Sequence, residues 1–168
     1  TGMGVLQPYL EQEGIEEMML AAATATCDYY IESTPTCGIP YWDTGAPELH
    51  RISDYPNRPA DPFNDFEPVD SSAAAIAAQG LLRLGRYLDS ERYWQAGLKI
   101  VQTLLSDLYL NSDPDHHGLV MHSVYHWPNR WDHVPSGSRI ASGEATMWGD
   151  YHAREVVLYL QRIARDEP

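Results

Sequence analysis

Only two cysteines, Cys27 and Cys37, occur in the 168 residues. Two are too few for a disulfide framework, and their spacing fits no zinc site. Cys27 falls on a predicted helix and Cys37 just past its end, so one local bridge is geometrically open; two idle thiols are the simpler expectation. Lysine is scarcer still, with Lys99 alone, and Lys+Arg 11 against Asp+Glu 24 gives a formal net charge of -13. A field of that sign opposes phosphate backbones, which excludes non-specific nucleic-acid binding. An anionic ligand would have to be met locally, by residues such as Arg130 or Arg139. No run approaches the roughly 20 consecutive apolar residues of a membrane helix, so no membrane partner is expected. No glycine-rich phosphate loop follows a strand, and no Ser/His/Asp or Cys/His arrangement has a supporting context. Strict apolar/polar alternation is missing too, which argues against a sheet.

What is present is helical periodicity. Apolar residues at 3–4 spacing predict a first helix over about 14–32, with Ile15, Met18, Met19, Ala22, Ala25 and Tyr29 inward. A second, over about 71–88, opens on Asp70, whose carboxylate suits the free N–H groups and positive end of a helix. Ala73, Ile76, Ala77, Gly80, Leu81 and Leu84 form its predicted face. A third covers about 90–110, with Tyr93, Gly97, Leu98, Val101, Leu104, Leu105 and Leu108 inward. A fourth covers about 145–164, with Trp148, Tyr151, Glu155, Val156, Tyr159, Leu160 and Ile163 on one stripe. Two long connections, 38–69 and 111–143, separate them, and connections of this length are usually functional or poorly ordered. Within the second, Leu119 to Val124 reads as a short strand. One all-α domain of antiparallel helical hairpins, spanning 1–168 with its active loops at one end, is the expected architecture.

The chemistry concentrates in Gly118-Leu119-Val120-Met121-His122-Ser123-Val124-Tyr125-His126 and in Met147-Trp148-Gly149-Asp150-Tyr151-His152. Aromatic faces stack on the C–H faces of a sugar ring, while polar tips and imidazoles reach its hydroxyls. A carbohydrate cleft is therefore the expected site. His122 and His126 stand four apart, but Gly118, Val124 and Pro128 argue against the helix that would align them on a metal. The acids nearby do not complete a ligand set, so neither metal nor cofactor is expected. Asp43, Asp54, Asp65, Asp132, Glu144 and Asp150 are candidates by type for acid/base sugar chemistry, although spacing pairs none of them.

Gly38-Ile39-Pro40-Tyr41-Trp42-Asp43, Asp70-Ser71-Ser72-Ala73-Ala74-Ala75-Ile76-Ala77-Ala78, Gly118-Leu119 through His122-Ser123-Val124, and Trp148-Gly149-Asp150-Tyr151 occur in that order. Together they resemble the carboxyl-terminal half of the unsaturated glucuronyl hydrolases, glycoside hydrolase family 88, over about residues 10–163. The resemblance implies an (α/α)6 barrel of six helical hairpins, of which this chain covers only the carboxyl-terminal part. It also implies removal of a 4,5-unsaturated uronic acid from oligosaccharides left by polysaccharide lyases. In that reaction an aspartic acid helps protonate the C4=C5 enol ether, water adds at C5, and the hemiketal opens; no metal takes part.

The same resemblance implies that the catalytic aspartates lie upstream of this chain, in a missing amino-terminal half. Tyr125, in the segment from His122 to His126, would stack on the sugar next to the unsaturated unit. Trp127, Trp131, Ser136, Ser138 and Arg139 would line the outer cleft and meet sulfate or carboxylate groups. Trp42 is expected against the barrel wall, and Val69 stands where the family often carries arginine. Thr1-Gly2-Met3-Gly4 has neither an initiator Met nor the layout of a signal peptide, so a processed chain or a fragment is expected. An oligosaccharide is the expected partner, together with the missing half or a second copy. Compartment stays open, with a slight preference for the cytoplasm. Two other classes fit the same residues: a saturated-sugar glycosidase or epimerase-like enzyme on a related helical barrel, and a non-catalytic helical binding module.

Overall fold

A computed structural model describes residues 14–165, and Asp70 opens the helix around which they are organised. Among the described residues the four α-helices are α1 (Ile15–Ser33), α2 (Ser71–Tyr87), α3 (Glu91–Leu104) and α4 (Met147–Ala164). Among the described residues the only extended pairing is two isolated bridges, Tyr41 with Val69 and Leu110 with Val120. The architecture is therefore all-α, and the strand read at Leu119 to Val124 shrinks to a single bridge.

Helix α2 starts where Asp70 accepts a hydrogen bond from the Ser72 N–H at 2.9 Å, satisfying an otherwise orphaned donor. It packs on α3, α4 and α1. Ala74, Ala75, Ala78, Leu81, Leu82 and Leu84 are all buried, so this helix is covered nearly all round rather than along one stripe. Its small residues admit neighbours from several directions. Burial of Leu81, Leu82 and Leu84 each contributes roughly 1.5–3 kcal/mol.

The turn from α2 into α3 closes with Ser90 N–H donating to Gly85 O at 2.8 Å. The two helices then approach closely: a Cβ on Gly97 would lie 2.6 Å from Leu82 Cγ. Helix α3 stops at Leu104, six residues short of the expected end. There Ser106 Oγ donates to Thr103 O, and Ser106 O accepts from the N–H groups of Tyr109 and Leu110, a local turn that replaces the helical ladder. Leu105 and Leu108 consequently stand exposed instead of facing inward, while Ile100 joins the core.

On α1 the buried residues are Met19 and Ala23, with Cys27, Tyr30 and Ile31 packed beside them. The face is turned by about one position from the expected one, leaving Met18 and Tyr29 exposed. Both cysteines are free, so the local bridge does not form.

Residues 38–69 contribute several side chains to the core. The segment includes two 3-10 turns, Leu49–Arg51 and Tyr55–Asn57, and its Ile39, Tyr41, Leu49, Ile52 and Val69 are buried in the core. Glu67 is 1% exposed and accepts from Trp42 Nε1 at 2.7 Å and from the Glu48 N–H at 2.6 Å. Much of this long connection is thus held by the core.

Helix α4 runs parallel to α2. Trp148 meets Ser72, His152 meets Gln79, and Tyr159 lies under Arg83, three contacts advancing in the same direction along both helices. Gly149, Ala153 and Val156 form its buried face. Tyr151, expected inward, is exposed because it points away from α2. At the far side Leu104, Leu105, Leu119, Val120, Val157 and Leu158 are among the walls of an apolar groove of about 280 Å³. No helix among the described residues is long and apolar enough to cross a membrane.

Candidate functional site

Because α2 and α4 are parallel, their N-termini share one end of the molecule, and the connection 111–143 folds over it. Three segments are laced together there. Ser71 N–H donates to His122 O at 3.1 Å, Ser71 Oγ and Ser123 Oγ lie 2.9 Å apart, and the Val124 N–H reaches Asp70 Oδ1 at 3.4 Å. Gly149 fits because it has no side chain: a Cβ would stand 2.9 Å from Ser72 Cβ and 3.2 Å from Ser123 Oγ. Asp70, with Ser72 Oγ donating to it at 2.6 Å, is largely shielded from water. Burial pushes its carboxyl above the ordinary range, against the lowering effect of those hydrogen bonds.

On this base stands a row of aromatic rings. Tyr125 stacks with Trp131 at 5.8 Å between centroids and 26° between planes, and Trp148 lies tilted at 5.7 Å on Tyr125. His126 meets Trp131 at 5.1 Å. Tyr125 is 59% exposed and Trp131 62% exposed, values that matter because a ring must be open to stack on a ligand. Asp132 fixes the row from below, accepting from the Tyr125 N–H through Oδ1 and from the His126 N–H at 2.9 Å through Oδ2. Trp127 begins the 3-10 turn Trp127–Asn129 inside that loop.

The expected site residues divide. Tyr125, His126 and Trp131 come together on the surface. Trp127 is buried against Val124, Ile140 and Ala141, with Arg130 over its ring at 4.0 Å. His122 is buried as well, between Phe63 and Tyr109. Its Nδ1 accepts from the Gly143 N–H at 3.1 Å, which places the proton on Nε2, 3.1 Å from Leu108 O. Both nitrogens are thus spent inside the protein, and burial lowers the imidazole pKa below 6.5. Ser136, Ser138 and Arg139 are exposed on a turn closed by Ser138 N–H to Pro135 O at 3.0 Å; next along the chain, Ile140 packs on Trp127.

Three of the six acids expected as chemical candidates, Asp43, Asp132 and Asp150, hold backbone amides. Asp150 accepts from the N–H groups of Leu119 and Val120, both at 2.9 Å, and Asp43 accepts from the Gly45 N–H at 2.6 Å. Among the described residues no three histidines, cysteines or acids gather as metal ligands would. The sequence placed Trp148 both on the apolar stripe of the last helix and in the aromatic segment of the expected cleft; it stands exposed beside Tyr125. The signal of its surface place lay in its position at the second residue of α4, where a side chain sits beside the preceding loop.

No protein-family model matches the chain. Curated relatives do. It is 31% identical over 147 residues to an unsaturated glucuronyl hydrolase of Formosa agariphila, covering 86% of this chain and 31% of that protein. To the unsaturated glucuronyl hydrolase of Bacillus sp. strain GL1 it is 28% identical over 149 residues, 86% of this chain and 33% of the relative. The crystal structure of the Bacillus enzyme, described as responsible for the degradation of glycosaminoglycan, superposes with a TM-score of 0.69 at 24% identity, over 96% of this chain and 37% of that one. A Streptococcus agalactiae unsaturated glucuronyl hydrolase mutant, complexed with dGlcA-GalNAc6S, gives a TM-score of 0.67 at 22% identity, over 95% of this chain and 36% of that one. The chain spans about a third of the length of the curated relatives it matches. It is thus similar, along nearly its whole length, to about one third of an unsaturated glucuronyl hydrolase.

Proposed function

We propose that this chain forms the outer sugar-binding wall of a glycoside hydrolase acting on 4,5-unsaturated uronyl oligosaccharides. The exposed ring row of Tyr125, Trp131 and Trp148 carries the reading. Open aromatic faces mounted on a rigid, hydrogen-bonded end of two parallel helices suit a pyranose ring, and the named relatives act on or bind such saccharides. His126 supplies a polar edge, while Ser136, Ser138 and Arg139 offer donors for a sulfate or carboxylate on the same oligosaccharide.

In the proposed reaction a proton is delivered to C4 of the enol ether while water adds its hydroxyl to C5. The resulting hemiketal opens and releases the remaining sugar. As the family resemblance implies, an aspartic acid outside this chain performs that transfer in this reading, and Asp132, Asp150 and Asp43 hold backbone amides here. The role left to this chain is to bind and align the saccharide next to the unsaturated unit.

The test is a titration of the chain with an unsaturated uronyl disaccharide, followed by tryptophan fluorescence, in parallel with loss of the double-bond absorbance. Saturable binding without turnover is expected. Turnover by this chain would instead bring Asp43, Asp132 and Asp150 forward as catalysts, and binding of saturated sugars alone would favour a different helical-barrel carbohydrate protein.

A further inference from the structure

Trp148 differs from the other rings of the row in how it is held. Its Nε1–H donates to Ser72 Oγ at 3.1 Å, and Ser72 Oγ in turn donates to Asp70 Oδ1 at 2.6 Å. Ser72 is 2% exposed, and Asp70 also takes the Ser72 N–H and lies near the Val124 N–H. The relay therefore ties the indole of α4 to the capped N-terminus of α2. A hydroxyl that gives its only proton to a carboxylate must present a lone pair to the next donor, so the direction of the Trp148 hydrogen bond is fixed. Gly149 brings α4 close enough for the contact, and the far side of the indole is left against Tyr125 and solvent.

We propose that Trp148 is a saccharide-contacting residue and that Ser72, held by Asp70, is the positioning residue that sets its indole plane. This rests on the sugar-binding reading above. The ligand is a pyranose ring of an oligosaccharide, received on its C–H face at the end of the row opposite Trp131. A relay of this kind costs nothing at the moment of binding, because the ring is already immobilised by a buried hydroxyl rather than by the ligand.

The chain's five tryptophans give five indole N–H signals in a proton–nitrogen correlation spectrum. Trp148→Phe and Trp131→Phe assign the two that matter. With dGlcA-GalNAc6S as probe, both signals should shift in the unsubstituted chain. Ser72→Ala should move the Trp148 signal, speed its hydrogen exchange, and weaken the probe about fivefold, while leaving the Trp131 signal in place. Trp148→Phe should weaken binding by a similar factor, and adding Ser72→Ala to it should weaken binding no further, since the hydroxyl acts only through the indole N–H. If Ser72→Ala does not fold, Trp148→Phe and the probe-induced shift of the Trp148 signal still decide. A Trp131 shift without a Trp148 shift, or unchanged affinity in Trp148→Phe, overturns the proposal and leaves the sugar-binding reading standing. If no aromatic signal responds to the probe, that reading falls and takes this proposal with it.

Discussion

At the scale of single residues, two positions carry most of the consequence. Gly149 lets α4 touch α2 and the 122–124 loop, so Gly149→Ala places a methyl 2.9 Å from Ser72 Cβ and from Thr146 Oγ1. The expected loss is on the order of 1–3 kcal/mol, read from a lowered midpoint in denaturant unfolding. His122 controls pH dependence. Its folded pKa lies below 6.5, so on acidification through 6.5 the unfolded chain takes up a proton before the folded one does. Its contribution is fully present above 6.5 and is lost as pH falls through the folded pKa. Asp70 acts oppositely and at lower pH: raised by burial above 3.8, it favours the folded state below 3.8 and loses that contribution as pH rises through its folded pKa. Thermal unfolding scanned downward from pH 7 should show stability falling first, and the fall should vanish in His122→Asn, a residue that tolerates the left-handed φ of 67° found there. Asp70 as a cap was legible in the sequence, because the residue type and the helix start coincide. The inward turn of His122 was not, since it depends on Gly143 and Leu108, 21 and 14 residues away.

At the scale of elements, periodicity found the four helices of the described residues because each has a buried face, but it did not fix which face. Helix α2 is sheathed on several sides, and α1 is turned by one position, since small alanines give little direction to a hydrophobic stripe. The end of α3 was misread because leucines continue past Leu104, while Ser106 diverts the backbone into a turn. The connection 38–69 looked like an active loop by length. Its prolines alternate with residues such as Ile39, Leu49 and Val69 that reach the core, which holds it in place. A prediction belongs here: Asp70→Ala should cost about 1 kcal/mol or more through the lost cap, whereas Asp70→Asn should retain most of it. Urea unfolding of both variants separates capping from charge.

At the scale of the molecule, Leu104, Leu105, Leu119, Val120, Val157 and Leu158 line an open apolar groove. A face of this kind seeks a partner. Sedimentation of the chain is expected to give a mass above 19.0 kDa, and Leu105→Glu together with Val157→Glu should return it toward that value without loss of helix signal.

The central claim is that the ring row on loop 122–132 and α4 binds an unsaturated saccharide, and a fluorescence titration of the chain with an unsaturated uronyl disaccharide tests it most directly. The account predicts a saturable change that Trp131→Ala and Tyr125→Ala each weaken by roughly tenfold. A titration that shows no saturable change, or one that both substitutions leave untouched, would contradict it.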